Sequence, residues 1–212
     1  MRNRIAAAAA RASRDPGEIT LMAVTKKFPS SVIRDAYASG LRDFGENYVQ
    51  EFERKHPDVA DLEGARFHLI GHLQSNKSRK AAEIFSAIDS LDSVKLVARL
   101  QEHTARPLDV MIEVKLSEEE AKSGATEDQV GEIVAAVRES APLRLAGLMT
   151  MPPWSEDAEE SRPFFHRLRQ LASGLGVLGL SMGMSHDLEV GIEEGATIVR
   201  VGTALFGRRP KV

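Results

Sequence analysis

The chain has 212 residues, a mass of 23.2 kDa and a formal net charge of −3 at pH 7. It contains no cysteine, which excludes disulfides and the zinc or iron–sulfur sites that need thiolate ligands. The slightly negative charge argues against nucleic-acid binding, and no apolar run reaches the roughly 18 residues of a membrane span. These properties predict one globular domain over 1–212, for which we expect a cytoplasmic location.

The N-terminal segment is rich in arginine and alanine. Four arginines and a run of five alanines precede the first acidic residue, Asp15. An arginine-rich, acid-poor start is compatible with a transit peptide, but alanine and arginine are also strong helix formers. Because serine is scarce in this segment, we favour an N-terminal helix of the folded domain over a targeting segment.

Short β-rich runs alternate with helical patterns along the chain, and no stretch has the composition of an interdomain linker. The predicted strands span 20–26, 43–46, 67–71, 87–91, 109–114, 144–149, 179–184 and 198–202. The predicted helices span 30–38, 47–55, 77–85, 93–105, 126–140, 156–175 and 187–194. A short element over 204–207 follows the last strand.

Eight predicted strands separated by helices is the number found in a closed parallel barrel. Several runs, such as 109–114, are apolar on both faces, which is typical of strands covered by helices. The alternative is an open doubly wound sheet, which needs only about five or six strands. We predict a single compact (β/α)8 TIM-like barrel with short loops.

One familiar glycine pattern, G-x-G-x-x-G, is present but stands in the wrong place. Gly174, Gly176 and Gly179 form it after a predicted helix and before a predicted strand. A dinucleotide site needs the same pattern after a strand, where it opens a helix. We therefore interpret these glycines as a helix end and a turn.

Lys26 stands at the carboxyl end of the first predicted strand, directly before Lys27. In parallel barrels the functional residues collect at this end of the strands. A lysine in a partly desolvated rim loses its proton more readily, and the free amine can form a Schiff base with an aldehyde. The simpler alternative is a solvated lysine that ends a strand.

The last two predicted strands end in glycine and hydroxyl residues. Ser185 follows strand seven, and Gly202 and Thr203 follow strand eight. Barrels often bind phosphate in these loops, where Gly202 lets the backbone approach an anion and hydroxyls donate hydrogen bonds. The alternative is a tight turn with hydroxyl caps. A lysine after strand one together with this phosphate site fits a phosphorylated aldehyde.

Arg200 lies two residues before Gly202, so both point to the same face of strand eight. An arginine inside a barrel needs a partner. The ring nitrogen of pyridoxal 5′-phosphate is one candidate, and an internal acid such as Glu46 or Glu113 is another. An arginine contact would leave that nitrogen unprotonated, because the guanidinium keeps its own charge.

Several long motifs along nearly the whole chain resemble the pyridoxal phosphate homeostasis protein family, also called the YggS/PROSC type. They occupy 21–26, 45–51, 67–77, 147–152, 180–185 and 199–207. The clearest are Gly-Glu-Asn-Tyr-Val-Gln-Glu at 45–51 and Phe-His-Leu-Ile-Gly-His-Leu-Gln-Ser-Asn-Lys at 67–77. That family is similar to the barrel domain of alanine racemase.

The resemblance implies that pyridoxal 5′-phosphate is bound covalently to Lys26 as a Schiff base. Arg200 would then face the pyridine nitrogen, and Asn47, from the Gly-Glu-Asn motif, would lie beside the cofactor. We expect no metal site and no catalytic residue. The residues that would hold the phosphate are Ser185, Gly202 and Thr203.

Two positions depart from the pattern of the family. Lys27-Phe28 replaces the usual Thr-Lys before the proline, which leaves two adjacent lysines. Lys115 stands where asparagine is usual after strand five, which adds positive charge to that rim. Neighbouring strand residues point to opposite faces, so only one of Lys26 and Lys27 can meet the phosphate loops, and the resemblance selects Lys26.

The resemblance favours a binding protein that stores, buffers or delivers pyridoxal phosphate inside the cell, without clear catalytic turnover. The alternative is a racemase that uses this cofactor on amino acids, but racemisation needs a second base, and the chain has only Tyr37 and Tyr48 as tyrosines. A Schiff-base aldolase without cofactor is a third possibility. The partners we expect are pyridoxal phosphate and the apo-enzymes that use it, with the protein as a monomer.

Overall fold

The computed structural model describes residues 1–117 and 123–208. Within these residues, eight parallel strands close into a barrel in the order of the sequence, which confirms the predicted (β/α)8 barrel. The strands are β1 (Thr20–Val24), β2 (Asp43–Glu46), β3 (Arg66–Leu69), β4 (Ala87–Leu91), β5 (Leu108–Glu113), β6 (Leu143–Met149), β7 (Leu180–Met184) and β8 (Ile198–Val201). The single domain over 1–212 stays a prediction, and its residues 118–122 and 209–212 lie outside the described residues.

Helices cover the outside of the barrel and connect consecutive strands. The α-helices of the described ranges are α1 (Arg2–Arg11), α2 (Ser30–Ala38), α3 (Val49–Lys55), α4 (Ser78–Ile84), α5 (Val94–His103), α6 (Glu127–Glu139), α7 (Arg162–Gly174), α8 (Leu188–Glu193) and α9 (Thr203–Phe206). Short 3-10 helices span Pro16–Glu18, His56–Asp58, Ser75–Lys77 and Ala158–Ser161. No helix in the described part of the chain is long and apolar enough to cross a bilayer.

The predicted bounds of strands and helices agree closely with the structure. The largest difference lies in the predicted helix over 156–175, which starts as the 3-10 helix Ala158–Ser161 and becomes α-helical only at Arg162. Pro163 follows in the first α-helical turn, where a missing N–H and a fixed φ are tolerated. A helix start of this kind has no periodic signal that sequence analysis could use.

Successive side chains of each strand point to opposite faces of the sheet. One set of side chains therefore packs against the helices, and the other set points into the barrel. Phe44 and its counterparts on other strands pack against the surrounding helices. Met22, Val24 and Ile70 form a second, smaller cluster within the barrel. At Gly45 a Cβ atom would lie 2.9 Å from the Met22 sulfur, so this glycine makes room for the interior cluster.

A buried charged group lies beside that interior cluster. His68 of β3 is 3% exposed, and its Nδ1 lies 3.2 Å from each carboxylate oxygen of Asp89. Its Nε2 lies 3.1 Å from Asp43 Oδ1. Burial alone would lower the pKa of His68, but the two carboxylates outweigh burial and raise the pKa to about 9. The imidazolium is therefore the form present at neutral pH.

Two arginines of α1 form ion pairs with α8, near the C-terminal end of the sequence. Arg4 pairs with Glu189 of α8 at 2.6 Å and donates a hydrogen bond of 3.1 Å to the carbonyl oxygen of Ser185. Arg11 pairs with Glu193 at 2.8 Å. The arginine-rich segment thus forms the helix expected from its composition, and that helix packs on α8 and on the loop after β7.

The free energy of unfolding is expected to fall as pH rises from about 6.5 to above 9. His68 has its ordinary pKa of 6.5 in the unfolded chain and about 9 in the folded chain. The folded chain therefore holds an extra proton between these values, and the stabilisation is complete below the lower value and lost above the higher one. The slope from this group approaches about 1.4 kcal/mol per pH unit.

Urea unfolding across this pH range measures the effect, and His68→Gln is the matched variant. The variant should be less stable than the wild type near neutral pH and should have a flatter pH dependence. Equal slopes in the two proteins would contradict the assignment.

Candidate functional site

A cavity of about 230 Å³ opens at the carboxyl ends of the strands. Its walls include an exposed tryptophan, Trp154, at 77% exposure. The cavity also brings together every site residue that the sequence predicts: Lys26, Asn47, Ser185, Arg200, Gly202 and Thr203. They come from the ends of β1, β2, β7 and β8, which are neighbours because the barrel closes β8 on β1. Their role in binding a cofactor stays a prediction.

Lys26 lies in the turn after β1, where the cavity wall partly buries it. Lys27 continues the turn with a φ of 65°, a left-handed conformation that costs a residue other than glycine about 1–2 kcal/mol. The turn closes with a 3.1 Å hydrogen bond from the Phe28 N–H to the Thr25 carbonyl oxygen. It leaves Lys27 exposed and outside the cavity, so Lys26 is the lysine that shares the cavity with the loops after β7 and β8.

The loops after β7 and β8 meet at one side of the cavity. The N–H of Ala204 in α9 donates to Ser185 Oγ at 3.4 Å. Asp187 fixes the first loop, because its carboxylate accepts the Met184 N–H at 2.6 Å and the Ser161 hydroxyl at 2.9 Å. Hydroxyl and backbone groups of two loops therefore gather at one place, as the sequence predicts for an anion site.

Two contacts connect these loops with the rest of the site. The rings of Phe28 and Phe206 pack 5.5 Å apart, which links the Lys26 turn to α9. Arg4 of α1 donates to the carbonyl oxygen of Ser185 from the other side. The turn that carries Lys26 is therefore in contact with α9, and α1 is in contact with the loop after β7.

Arg200 lies on β8 and lines the cavity while being only 3% exposed. One terminal nitrogen donates to the carbonyl oxygen and to the hydroxyl of Ser181, both at 2.7 Å, and the other donates to the Thr150 carbonyl oxygen at 2.8 Å. Burial lowers the pKa of Arg200, and the charges of Asp89 and Glu113 act against that shift. The guanidinium is thus fixed by neutral oxygens.

Neither acid considered as a partner of Arg200 forms an ion pair with it in the described structure. Glu46 pairs with Lys55 instead, at 3.0 Å. Glu113 Oε2 has no hydrogen-bond partner among the described residues. Burial raises the pKa of Glu113 to about 7, and the charge of Arg200 offsets this shift only in part. Glu113 lines a second cavity of about 600 Å³, which shares Asn47 with the first.

Asn47 is held by close contact with the loop after β3. A Cβ atom at Gly71 would lie 2.3 Å from the Asn47 carbonyl oxygen, so only glycine fits there. The carbonyl oxygen of Gly71 in turn accepts the Ser90 hydroxyl at 2.7 Å. The motif at 67–77 therefore supports the motif at 45–51 across adjacent strands.

Sequence reasoning missed the residues that hold the site in place. Lys55 and Glu51 are four residues apart on α3 and form an ion pair of 2.6 Å, a spacing that a search for helical charge pairs could have found. Asp187 stands just before α8, where acidic residues are common helix starts. The link from Arg4 to Ser185 joins distant parts of the chain and has no local signal.

The cavity combines an amine, a buried guanidinium and hydroxyl groups at the rim of a parallel barrel. This set fits a small ligand that carries a phosphate and a carbonyl carbon. No cluster that could hold a metal ion occurs within 1–117 and 123–208.

The barrel belongs to the class of the alanine racemase N-terminal domain. The family model for the N-terminal domain of alanine racemase matches residues 1–210. The alanine racemase of Corynebacterium glutamicum shares the fold with a TM-score of 0.72 at 18% identity, covering 99% of this chain and 60% of that chain.

More similar relatives narrow the assignment. The pyridoxal phosphate homeostasis proteins of Pseudomonas aeruginosa and Escherichia coli K12 are 46% and 43% identical, covering 97% and 99% of this chain and 91% and 94% of theirs. PipY of Synechococcus elongatus PCC7942, solved with PLP bound, has a TM-score of 0.85 at 37% identity, covering 96% of this chain and 100% of that chain. The chain belongs to the pyridoxal phosphate homeostasis protein family.

Proposed function

We propose that this protein binds pyridoxal 5′-phosphate and acts in the homeostasis of that cofactor by storing, buffering or delivering it. The observation that carries the proposal is that Lys26, Arg200 and two loops line one cavity. The first loop, after β7, contains Ser185, and the second, after β8, contains Thr203. The names of its relatives, and the PLP-bound structure of PipY at 37% identity, support the same conclusion.

The residues present fit the functional groups of pyridoxal phosphate. The hydroxyls of Ser185 and Thr203, with the backbone at Gly202, offer hydrogen bonds to a phosphate. Lys26 offers an amine for covalent attachment, as in other lysines that bind carbonyl compounds. When bound, the cofactor supplies a reactive carbonyl carbon and an electron-withdrawing pyridine ring.

The environment of Arg200 would limit the chemistry of a bound cofactor without forbidding it, and it is compatible with a racemase. Its hydrogen bonds to Ser181 and Thr150 fix the guanidinium at the cavity wall, where it can donate to a ring nitrogen. A guanidinium keeps its proton, so a ring nitrogen that accepted a hydrogen bond from Arg200 would stay unprotonated. Such a ring withdraws electrons more weakly, which lowers the reactivity of a bound substrate.

The positions of the two tyrosines argue against an amino-acid racemase. Racemisation needs a second base on the face opposite Lys26. Tyr37 donates its hydroxyl to the Glu63 carbonyl oxygen, and Tyr48 is 52% exposed. We therefore propose that the protein has no enzymatic turnover.

Three finer points belong to the proposal. The first is covalent attachment of pyridoxal phosphate to Lys26, supported by the place of Lys26 on the cavity. The second is transfer of the cofactor to apo-enzymes that use it, and the third is a monomeric protein in the cytoplasm. The second and third rest on the family resemblance.

Borohydride reduction followed by peptide mass mapping tests the central proposal. The holo-protein should absorb visible light, lose that absorption on reduction and retain a phosphopyridoxyl group on Lys26. Lys27→Ala, the matched control, should keep the adduct, and Lys26→Ala should lose it. An adduct on Lys27, or a protein that takes up no cofactor, would overturn the assignment.

Ser185→Ala and Thr203→Ala should each weaken the binding of pyridoxal phosphate by about tenfold or more. Hydrogen bonds to charged groups contribute roughly 1.5–3 kcal/mol each, and about 1.4 kcal/mol corresponds to a factor of ten. Equilibrium dialysis measures the affinity, and the exposed Ser31→Ala serves as the control. Unchanged affinity in both variants would remove the phosphate from these loops.

Incubation of the holo-protein with L-alanine should produce no D-alanine at an enzyme-like rate. A missing general base lowers the rate by roughly 10² to 10⁴. Chiral chromatography follows the product. Turnover near one per second, within the usual range of enzymes, that disappears in Lys26→Ala would make the protein an enzyme.

A further inference from the structure

A buried ion cluster lies directly behind the turn that carries Lys26. It consists of Glu46 at the end of β2 and of Glu51 and Lys55 on α3. The Glu46 side chain is 0% exposed, and those of Lys55 and Glu51 are 10% and 17% exposed. Lys55 Nζ lies 3.0 Å from a Glu46 oxygen and 2.6 Å from a Glu51 oxygen.

The cluster contacts the residues on both sides of Lys26. The Thr25 hydroxyl donates to Glu46 at 2.8 Å, and Lys55 donates to the Thr25 carbonyl oxygen at 3.1 Å. On the other side, Glu51 accepts the N–H of Lys27 at 2.5 Å. Lys26 therefore stands between two residues that the cluster fixes, although the cluster itself does not line the cavity.

Lys55 is the member that holds the cluster together. Two carboxylates in a poorly hydrated place repel each other unless a cation lies between them. Burial raises the pKa of Glu46, and the charge of Lys55 acts against that shift. Without Lys55, Glu51 would lose the partner that orients it toward the N–H of Lys27, whose left-handed backbone needs support from its surroundings.

We propose that Lys55, acting with Glu46 and Glu51, is a positioning residue that keeps the turn over 25–28 in the shape that presents Lys26 to the cavity. The inference rests on the proposed role of Lys26 in binding the cofactor. It assigns Lys55 no contact with the cofactor. Its effect passes through the carbonyl oxygen and hydroxyl of Thr25 and the N–H of Lys27.

Amide hydrogen exchange of the cofactor-free protein tests this inference. Lys55→Met keeps an unbranched side chain that is one heavy atom shorter and removes its charge. The amides of Lys27 and Phe28 should then exchange at least about tenfold faster, while those of Val110 and Ile112 in β5 keep their rates. The affinity for pyridoxal phosphate, followed by visible absorbance, should fall by a similar factor, and Lys55→Arg should restore both.

Lys80→Met is the matched control, because Lys80 is a half-buried lysine of α4, outside the cluster, that pairs with Glu83 at 2.8 Å. It should leave exchange and affinity unchanged. Wild-type exchange at Lys27 and Phe28 in a folded Lys55→Met protein would overturn the inference, and so would equally faster exchange throughout β5.

A second variant covers the case in which Lys55→Met does not fold. Glu51→Ala removes the acceptor of the Lys27 N–H at a site nearer the surface, and it is measured in the same two ways with the same expected results. Faster exchange without loss of affinity in this variant would overturn the inference. A wild-type protein that fails to bind pyridoxal phosphate would instead overturn the proposed function, and the exchange result would stand.

Discussion

The parallel pairing of β1 with β8 is the interaction on which the site depends. Met22 pairs with Arg200 and Ala23 with Val201, so the first strand lies beside the last. This closure places the Lys26 turn next to the loop of Gly202, although most of the chain separates them in sequence. Contacts of such long range form late and slow folding. The cavity is therefore a product of the completed barrel, because neither half of the chain supplies both Lys26 and the loops after β7 and β8.

The buried ionisable side chains of the barrel interior differ in their hydrogen-bond partners. His68 lies between two carboxylates, and its pKa rises to about 9. Arg200 bonds to neutral oxygens of Ser181 and Thr150. Glu113 Oε2 has no hydrogen-bond partner in the described structure, and the pKa of Glu113 rises to about 7. Because no carboxylate of residues 1–117 and 123–208 forms an ion pair with Arg200, its guanidinium keeps the capacity to bind a ligand acceptor.

Much of the fold and of the candidate site could be predicted because both leave local signals. Strand runs, helix periods and the motifs around Lys26 and Gly202 are readable in order. Glu46 as a partner of Arg200 was wrong, because Gly45 faces Met22 inside the barrel and the next residue therefore faces α3. The pair of Lys55 with Glu51 has helical spacing, but the contacts of Lys55 with Glu46 and Thr25 could not be predicted, since they depend on how α3 packs behind β1. Side-chain contacts across the barrel have no period in sequence.

The position of Trp154 has a consequence for spectroscopy. It is the single tryptophan of the chain and forms part of the cavity wall. Indole emission responds to its immediate surroundings and is quenched by a nearby group that absorbs at the emission wavelength. The tryptophan fluorescence of this protein therefore originates from one point, at the cavity wall, and carries no background from the helices around the barrel. The chain has a built-in optical probe of cavity filling.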